Sequence, residues 1–419
     1  MLKCLGCGRV HPDSFQLSCC PDALLVSDYP ARISLGEQPY PGIWRFLDWL
    51  PARVPYPAET RGVTYRSEGF GPRIGLENLW VSFNGYWPER GALSHTCSFK
   101  ELEAVPTLAR ARETGQRGLV LASAGNTARA FAYHCGAAGM PLVILVAEIH
   151  LHRLWLPRGH SPGPVVLVGI QQADYGDAIE LVPQVAERIG FTPEGGVRNV
   201  ARRDGIGTLF LDAVATMGTM PRHYFQAVGS GVGAVACWEA AVRLRDTGQF
   251  GSELPCLHLA QDPTYAPMLW AWQGKREKLD PCLDLRDGHA SAEGMYTDIL
   301  YNRRPAYSIK GGVRDCVLAS CGNFYGVTPQ MAQEAKEQFE AAEGIDIAPP
   351  AAVAVGALIQ AVQQGCIAPD EPVLLNITGG GEERLAKEVG CELIPPQAIT
   401  TRAQVVDKVA DLVQELSSL

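Results

Sequence analysis

Residues 118–146 read GLVLASAGNTARAFAYHCGAAGMPLVILV. The stretch 118–122 is a short apolar run that ends at small polar residues, and it reads as a buried strand. Residues 126–138 are rich in small side chains at helical spacing, and 142–146 is again a strand. Strand, helix, strand in that order is the βαβ unit of a parallel sheet.

The alternation continues outward. Residues 165–168 form another predicted strand, followed by a helix over 175–189 and a further helix over 208–217. Residues 223–228 run as a strand into Gly229-Ser230-Gly231-Val232-Gly233, and a helix follows to about residue 245. Then come a strand at 257–260, a buried helix at 351–363, and a strand at 373–377 that ends in Thr378-Gly379-Gly380-Gly381. The tail from residue 400 places Val405, Val406, Val409, Leu412, Val413 and Leu416 on one face of an amphipathic helix. Residues 31–95 are rich in Pro, Gly and aromatics, with little periodicity. They read as irregular structure laid over a core, with Tyr65, Trp80 and Trp87 as packing residues. The predicted fold is α/β, with open parallel sheets in two domains.

Composition bounds the function. A chain of 419 residues can fill more than one core, and 47% hydrophobic with 19% charged residues describes a globular protein. The net charge of -9 and the lack of any long Lys/Arg block argue against nucleic acid as a partner. No apolar run reaches membrane-spanning length, and no apolar signal region stands near Lys3, so a cytoplasmic protein with no membrane partner is expected. The 13 cysteines are odd in number and scattered, which suits reduced thiols better than a disulfide framework. Four lie together near the start, in Cys4-Leu5-Gly6-Cys7-Gly8 and at Cys19-Cys20. Four thiolates could hold zinc, but adjacent cysteines face one ion poorly, so a metal-free ribbon or a simple hairpin stands beside that reading.

Three glycine-rich turns follow predicted strands: Ser123-Ala124-Gly125-Asn126-Thr127, the 229–233 turn, and 378–381. Each sets backbone amides at or near a helix start, beyond the C-terminal end of a strand, where parallel sheets bind ligands. Together they suit a ligand with more than one anionic group. The 229–233 turn lacks the G-x-G-x-x-G spacing of a dinucleotide site and the G-K-[ST] of a P-loop. Lys100, in Thr96-Cys97-Ser98-Phe99-Lys100-Glu101, follows an apolar residue and precedes a helix-like segment. It reads either as a surface lysine or as an amine desolvated enough to attack a carbonyl.

Taken together, these segments resemble the threonine synthase group of fold-type II pyridoxal-phosphate (PLP) enzymes, the tryptophan synthase β-like fold. Ser98-Phe99-Lys100 resembles the lysine motif, 123–127 the asparagine loop and 229–233 the phosphate loop. Glu343-Gly344 with Pro349 and Ala352 resembles a further segment, and Thr378-Gly379 the residues beneath the pyridine nitrogen. The resemblance covers about residues 1–390, the cysteine segment included. It implies PLP as cofactor and Lys100 as its Schiff-base lysine and as the base at the α-carbon. Asn126 would then meet the phenolic oxygen, Gly229, Ser230, Gly231, Val232 and Gly233 the phosphate, and Thr378 the ring nitrogen. Ser123, Ala124, Gly125 and Thr127 would grip the substrate carboxylate.

The chain departs from that group where S-F-K-D-R-G is replaced by Ser98-Phe99-Lys100-Glu101-Leu102-Glu103. Arg129, Arg202 and Arg203 are the candidates to replace the lost positive charge toward substrate anions. The stretch 96–104 resembles the sulfite-using branch of the group, which joins sulfite to O-phospho-L-serine for coenzyme M in methanogenic archaea. Phosphohomoserine with water, or a sulfide nucleophile, is the alternative chemistry, and a binding protein that kept the fold is the alternative class. A homo-oligomer is expected. Lys100 and the late glycine turns must meet around one cofactor. That gives a cysteine segment at 1–30, a large domain from 31–105 and 215–395, a small mobile domain at 106–214, and a C-terminal helix in 396–419.

Overall fold

Strands Leu119–Ala122, Leu142–Ala147 and Val165–Ile170 are almost entirely buried. Continuous apolar strands of this kind belong in parallel sheets covered on both faces. A computed structural model describes residues 1–29, 34–123, 125–285 and 292–417, and it places these strands in a five-stranded parallel sheet. The order is Thr192–Pro193, Leu119–Ala122, Leu142–Ala147, Val165–Ile170, Ala398–Thr400. Helix Tyr175–Ile189 covers it and is started by a capping box, in which Asp174 and Asp177 each accept the other's backbone N–H. The C-terminal helix Val405–Ser417 packs beside it.

A second sheet has six strands, in the order Asn323–Gly326, Cys256–Gln261, His223–Ala227, Val373–Ile377, Leu79–Phe83, Val63–Arg66. All pairs are parallel except the last, an antiparallel edge. Helices Pro349–Gln363 and Val200–Met217 lie against this sheet, and Val200–Met217 also packs on Lys100–Glu113 and Val232–Thr247.

The structure differs from the sequence reading at several points, among them strand Asn323–Gly326 and helix Pro329–Glu343, for which the sequence reading had no element. Residues 31–95 contribute two strands of the larger sheet, Val63–Arg66 and Leu79–Phe83. Both are short and flanked by turn-forming residues, so period-2 alternation has little length in which to show. The helix expected at 208–217 begins at Val200, because Gly205 and Gly207 sit buried in helix–helix seams instead of ending the element. The tail carries a strand, Ala398–Thr400, before its helix, and this strand closes the smaller sheet.

At the N-terminus, Leu2–Cys4 pairs with Val10–His11 on one side and Leu25–Ser27 on the other. This small sheet packs on the start of helix Val200–Met217 through Leu2, Cys4, Ala23, Leu25 and Val200. Among the described residues, no helix is long and apolar enough to cross a membrane.

Candidate active site

Three strands, Leu119–Ala122, His223–Ala227 and Val373–Ile377, deliver their C-terminal ends to one place. The turns that leave them are the three glycine-rich turns of the sequence. Ser123, Gly125, Asn126, Thr127, Gly229, Ser230, Gly231, Val232, Gly233 and Thr378 line a single cavity together with Lys100. The location agrees with the general position of ligands outside the carboxyl ends of parallel strands.

Lys100 is the first residue of a helix, and the residues before it are bolted to the end of strand Val373–Ile377. Phe99 N–H donates to the Thr378 carbonyl at 3.0 Å, and Gly380 N–H donates to the Cys97 carbonyl at 3.1 Å. A Cβ on Gly379 would stand 2.6 Å from that same carbonyl oxygen, so the approach requires glycine. Cys97 itself holds φ 57, a left-handed conformation uncommon outside glycine, immediately before the lysine segment.

The charged groups around Lys100 form a closed network. Lys100 Nζ donates to Glu103 Oε2 at 3.1 Å, and Thr127 Oγ1 donates to Glu103 Oε1 at 3.0 Å. Arg202 lies 3.1 Å from Glu103 Oε1 and donates twice to Glu194, at 2.9 and 2.5 Å. Burial pushes the Lys100 amine below the ordinary lysine range, the Glu103 carboxylate opposes that shift, and Arg202 adds to it. Burial likewise opposes the charge on Arg202, but Glu103 and Glu194 outweigh it and hold the guanidinium firmly protonated. Two cations and two carboxylates balance, so as it stands this cluster leaves no spare positive charge.

The 229–233 turn fits an anion. Among the described residues, the amides of Gly229, Ser230 and Gly231 donate to no acceptor, and Gly231 caps the sixteen-residue helix Val232–Thr247, whose first N–H groups point outward. Gly231 has φ 84, and a Cβ there would collide with Val313 Cγ2. A phosphate needs several donors at short range, and this cradle offers them.

The other candidates divide. Ser123 Oγ accepts from the amides of Gly125 and Ala128, at 3.2 and 3.1 Å, which shapes the turn. Ala124 lies outside the described residues. Arg202 faces the cavity, but Arg203 does not. Consecutive helical residues point about 100° apart, so the pair cannot share one target. Arg203 instead donates to the carbonyls of Leu25 and Val197 and pairs with Glu239 at 3.0 Å. Arg129 also misses the cavity. It stacks on Trp155 at 4.2 Å, pairs with Glu382 at 2.9 Å, and donates to Asn126 Oδ1 at 2.5 Å, so its contact with the site runs through Asn126.

Sequence reasoning missed Glu103, Glu194, Tyr175 and His150. Glu103 had a signal, since it stands one helical turn after the lysine, within reach of its amine. Glu194 and Tyr175 reach the site only through tertiary packing. Both line the cavity wall, where burial raises the Tyr175 hydroxyl and depresses the His150 imidazole, in each case favouring the neutral form.

The match to known proteins agrees with this geometry. Residues 77–379 match the family model for pyridoxal-phosphate dependent enzymes, and the chain belongs to that family. It is similar over nearly its whole length to cysteate synthases: 51% identical to that of Methanocella paludicola, covering 94% of this chain and 92% of the relative, and 47% identical to that of Methanosarcina barkeri, covering 95% of each. Solved structures share the fold. The T.th. threonine deaminase aligns with a TM-score of 0.56 at 17% identity, over 76% of this chain and 91% of that one. Dictyostelium discoideum serine racemase aligns at 0.55 and 15%, over 76% and 92%. The chain is therefore a fold-type II enzyme that uses pyridoxal phosphate, and the buried amine of Lys100 and the donor-rich 229–233 turn fit that cofactor.

Proposed function

We propose that this enzyme makes L-cysteate and phosphate from O-phospho-L-serine and sulfite, as a step toward coenzyme M. The observation that carries the reading is the convergence of Lys100 and two anion-seating turns on one cavity, in a chain about half identical to cysteate synthases.

In this reading the 229–233 amides hold the cofactor phosphate, Asn126 meets its phenolic oxygen and Thr378 its ring nitrogen. Bound there, pyridoxal phosphate supplies an electron sink that acidifies the substrate Cα–H and makes a β-substituent expellable. Lys100 takes the Cα proton and returns it at the end. Between those transfers the Cβ–O bond breaks, phosphate leaves with the bonding pair, and the sulfur lone pair of sulfite forms the new Cβ–S bond. The Asn126 and Thr127 amides at the start of helix Asn126–Ala138 seat the substrate carboxylate, while the Ser123 and Gly125 N–H groups donate to the Leu145 carbonyl and to Ser123 Oγ.

The substrate anions would compete with Glu103 and Glu194 for Arg202, the one arginine among the three sequence candidates that lines the cavity. We place 106–214 in a smaller body that closes over the substrate. Its separate sheet supports this, although helix Val200–Met217 leans on the larger sheet. The reading includes a cytoplasmic homo-oligomer with neither nucleic acid nor membrane as partner, in keeping with the net charge of -9.

A substrate matrix tests it. O-Phosphoserine and O-phosphohomoserine are each offered with sulfite, sulfide or water, and phosphate and amino-acid products are followed. Cysteate from phosphoserine and sulfite is expected. Threonine from phosphohomoserine, without any sulfite-dependent product, would overturn the reading.

A further inference from the structure

The four N-terminal cysteines do not line the cavity described above, yet they are arranged as ligands. The Sγ atoms of Cys4, Cys7, Cys19 and Cys20 all lie within 4.8 Å of one another, and Cys7 and Cys19 are 3.6 Å apart. Four sulfurs about 2.3 Å from one tetrahedral zinc stand about 3.8 Å from each other. A disulfide needs about 2.0 Å, and all four are free thiols. The sequence objection was that adjacent cysteines face apart, which holds for a strand. Residues 19–22 are bends and turns instead, and both side chains reach the common centre. On the other side, Gly8 N–H closes a turn onto the Cys4 carbonyl at 2.9 Å and brings Cys7 back over Cys4.

We infer that Cys4, Cys7, Cys19 and Cys20 bind one zinc ion in a closed four-thiolate site. Four protein ligands leave no open position, so the ion is structural and takes no part in the reaction.

Its task is visible in what the segment holds. Arg203 donates to the Leu25 carbonyl, Arg198 to the Pro21 carbonyl at 2.6 Å, and Asp204 accepts from Ser27 and Tyr29 at 2.5 and 2.7 Å. These bonds fix the start of helix Val200–Met217, which carries Arg202 into the cavity. Leu24 and Lys310 exchange bonds with the same segment: Leu24 N–H donates to the Lys310 carbonyl at 3.0 Å, and Lys310 N–H donates to the Asp22 carbonyl at 2.9 Å. The cysteine segment thus ties the start of helix Val200–Met217 to the chain at Lys310.

Metal analysis of the full-length holoenzyme tests this without recourse to activity. After purification in reductant, incubation with zinc and dialysis, we expect about one zinc per chain in the wild type and less than about a tenth in Cys7→Ser/Cys20→Ser. Should that variant fail to fold, the wild type loaded with cobalt(II) decides, since tetrahedral thiolate coordination gives intense sulfur-to-cobalt charge-transfer bands. A wild type that retains no zinc, that retains iron in its place, or that shows neither metal nor a full count of titratable thiols overturns the inference. So does a folded double variant that keeps its zinc.

Discussion

Glu103 Oε2 accepts from Lys100 Nζ at 3.1 Å, one helical turn away, while its other oxygen serves Thr127 and Arg202. A fully buried carboxylate therefore stands between the amine, the asparagine turn and the cavity's arginine. Its charge decides how far burial can depress Lys100.

Glu103→Gln removes the main influence that favours the lysine ammonium. Burial holds the Lys100 amine below the usual 10.5, so it sheds its proton at lower pH than an exposed lysine does. Without Glu103 it titrates lower still. The rate at which cofactor-free enzyme recombines with pyridoxal phosphate rises with pH as the amine loses its proton, and in the variant that rise moves to lower pH. Stopped-flow absorbance reads it, and a move to higher pH would contradict the assignment. We expect kcat/KM to fall roughly 10–100-fold, since the proton-transferring amine loses its anchor.

Gly231→Ala tests the phosphate cradle. The position has φ 84 and no room beside Val313, so the turn must shift at a cost of about 1–3 kcal/mol. Cofactor affinity should weaken at least about tenfold, or ~1.4 kcal/mol, by equilibrium titration with pyridoxal phosphate. Unchanged affinity would remove the turn from the cofactor site.

Arg202 and Arg203 should behave as strangers despite adjacency. Arg202→Met raises the KM for the phosphorylated substrate by about 10–100-fold. Arg203→Met strands Glu239, whose carboxyl burial already pushes up against the pull of Arg203, and costs roughly 3 kcal/mol of stability, with KM changed far less than in Arg202→Met because Arg198 and Asp204 still hold the helix start. Parallel denaturation and steady-state assays separate the two, and equal KM effects would refute the geometric division.

The neighbours Arg202 and Arg203 also show where sequence reading stops. Glycine turns at strand ends carry their own signal, because a backbone that must present amides there needs small residues, and the 123–127, 229–233 and 378–381 turns were legible for that reason. Helix Tyr175–Ile189 and strand Val373–Ile377 were legible from periodicity and apolar content alone. Which arginine of a pair faces inward depends on helix phase against a distant sheet, and no local pattern records it. Glu194 reaches Arg202 from beyond strand Thr192–Pro193, a contact made only when the smaller sheet closes. Strands Val63–Arg66 and Leu79–Phe83 were lost because each is too short to show an alternation, and Leu79–Phe83 takes its second neighbour from residues 373–377.

Acid should weaken the larger sheet through a buried histidine pair. His223 Nδ1 and His258 Nε2 are 2.9 Å apart, and His258 also meets the Tyr325 hydroxyl at 3.0 Å. Burial, aided by His223, lowers His258 to about 3, and burial lowers His223 against the pull of Glu371. The folded state keeps the His258 ring neutral down to about pH 3, whereas the unfolded chain binds a proton there below pH 6.5. Its contribution is full above 6.5 and is lost as pH falls toward 3, on the order of a few kcal/mol across that window. Urea denaturation between pH 7.5 and 4.5 should show this slope flattened in His258→Asn, and an equal slope would refute it.

The central claim is that Lys100 is the lysine that holds the cofactor, and reduction of the holoenzyme with borohydride tests it most directly. The reagent makes the lysine–cofactor bond permanent, and peptide mapping then locates it. The account predicts a single pyridoxyl label on the peptide containing Ser98-Phe99-Lys100, and no label in Lys100→Ala. A label on any other lysine, or none on the yellow holoenzyme, would contradict it.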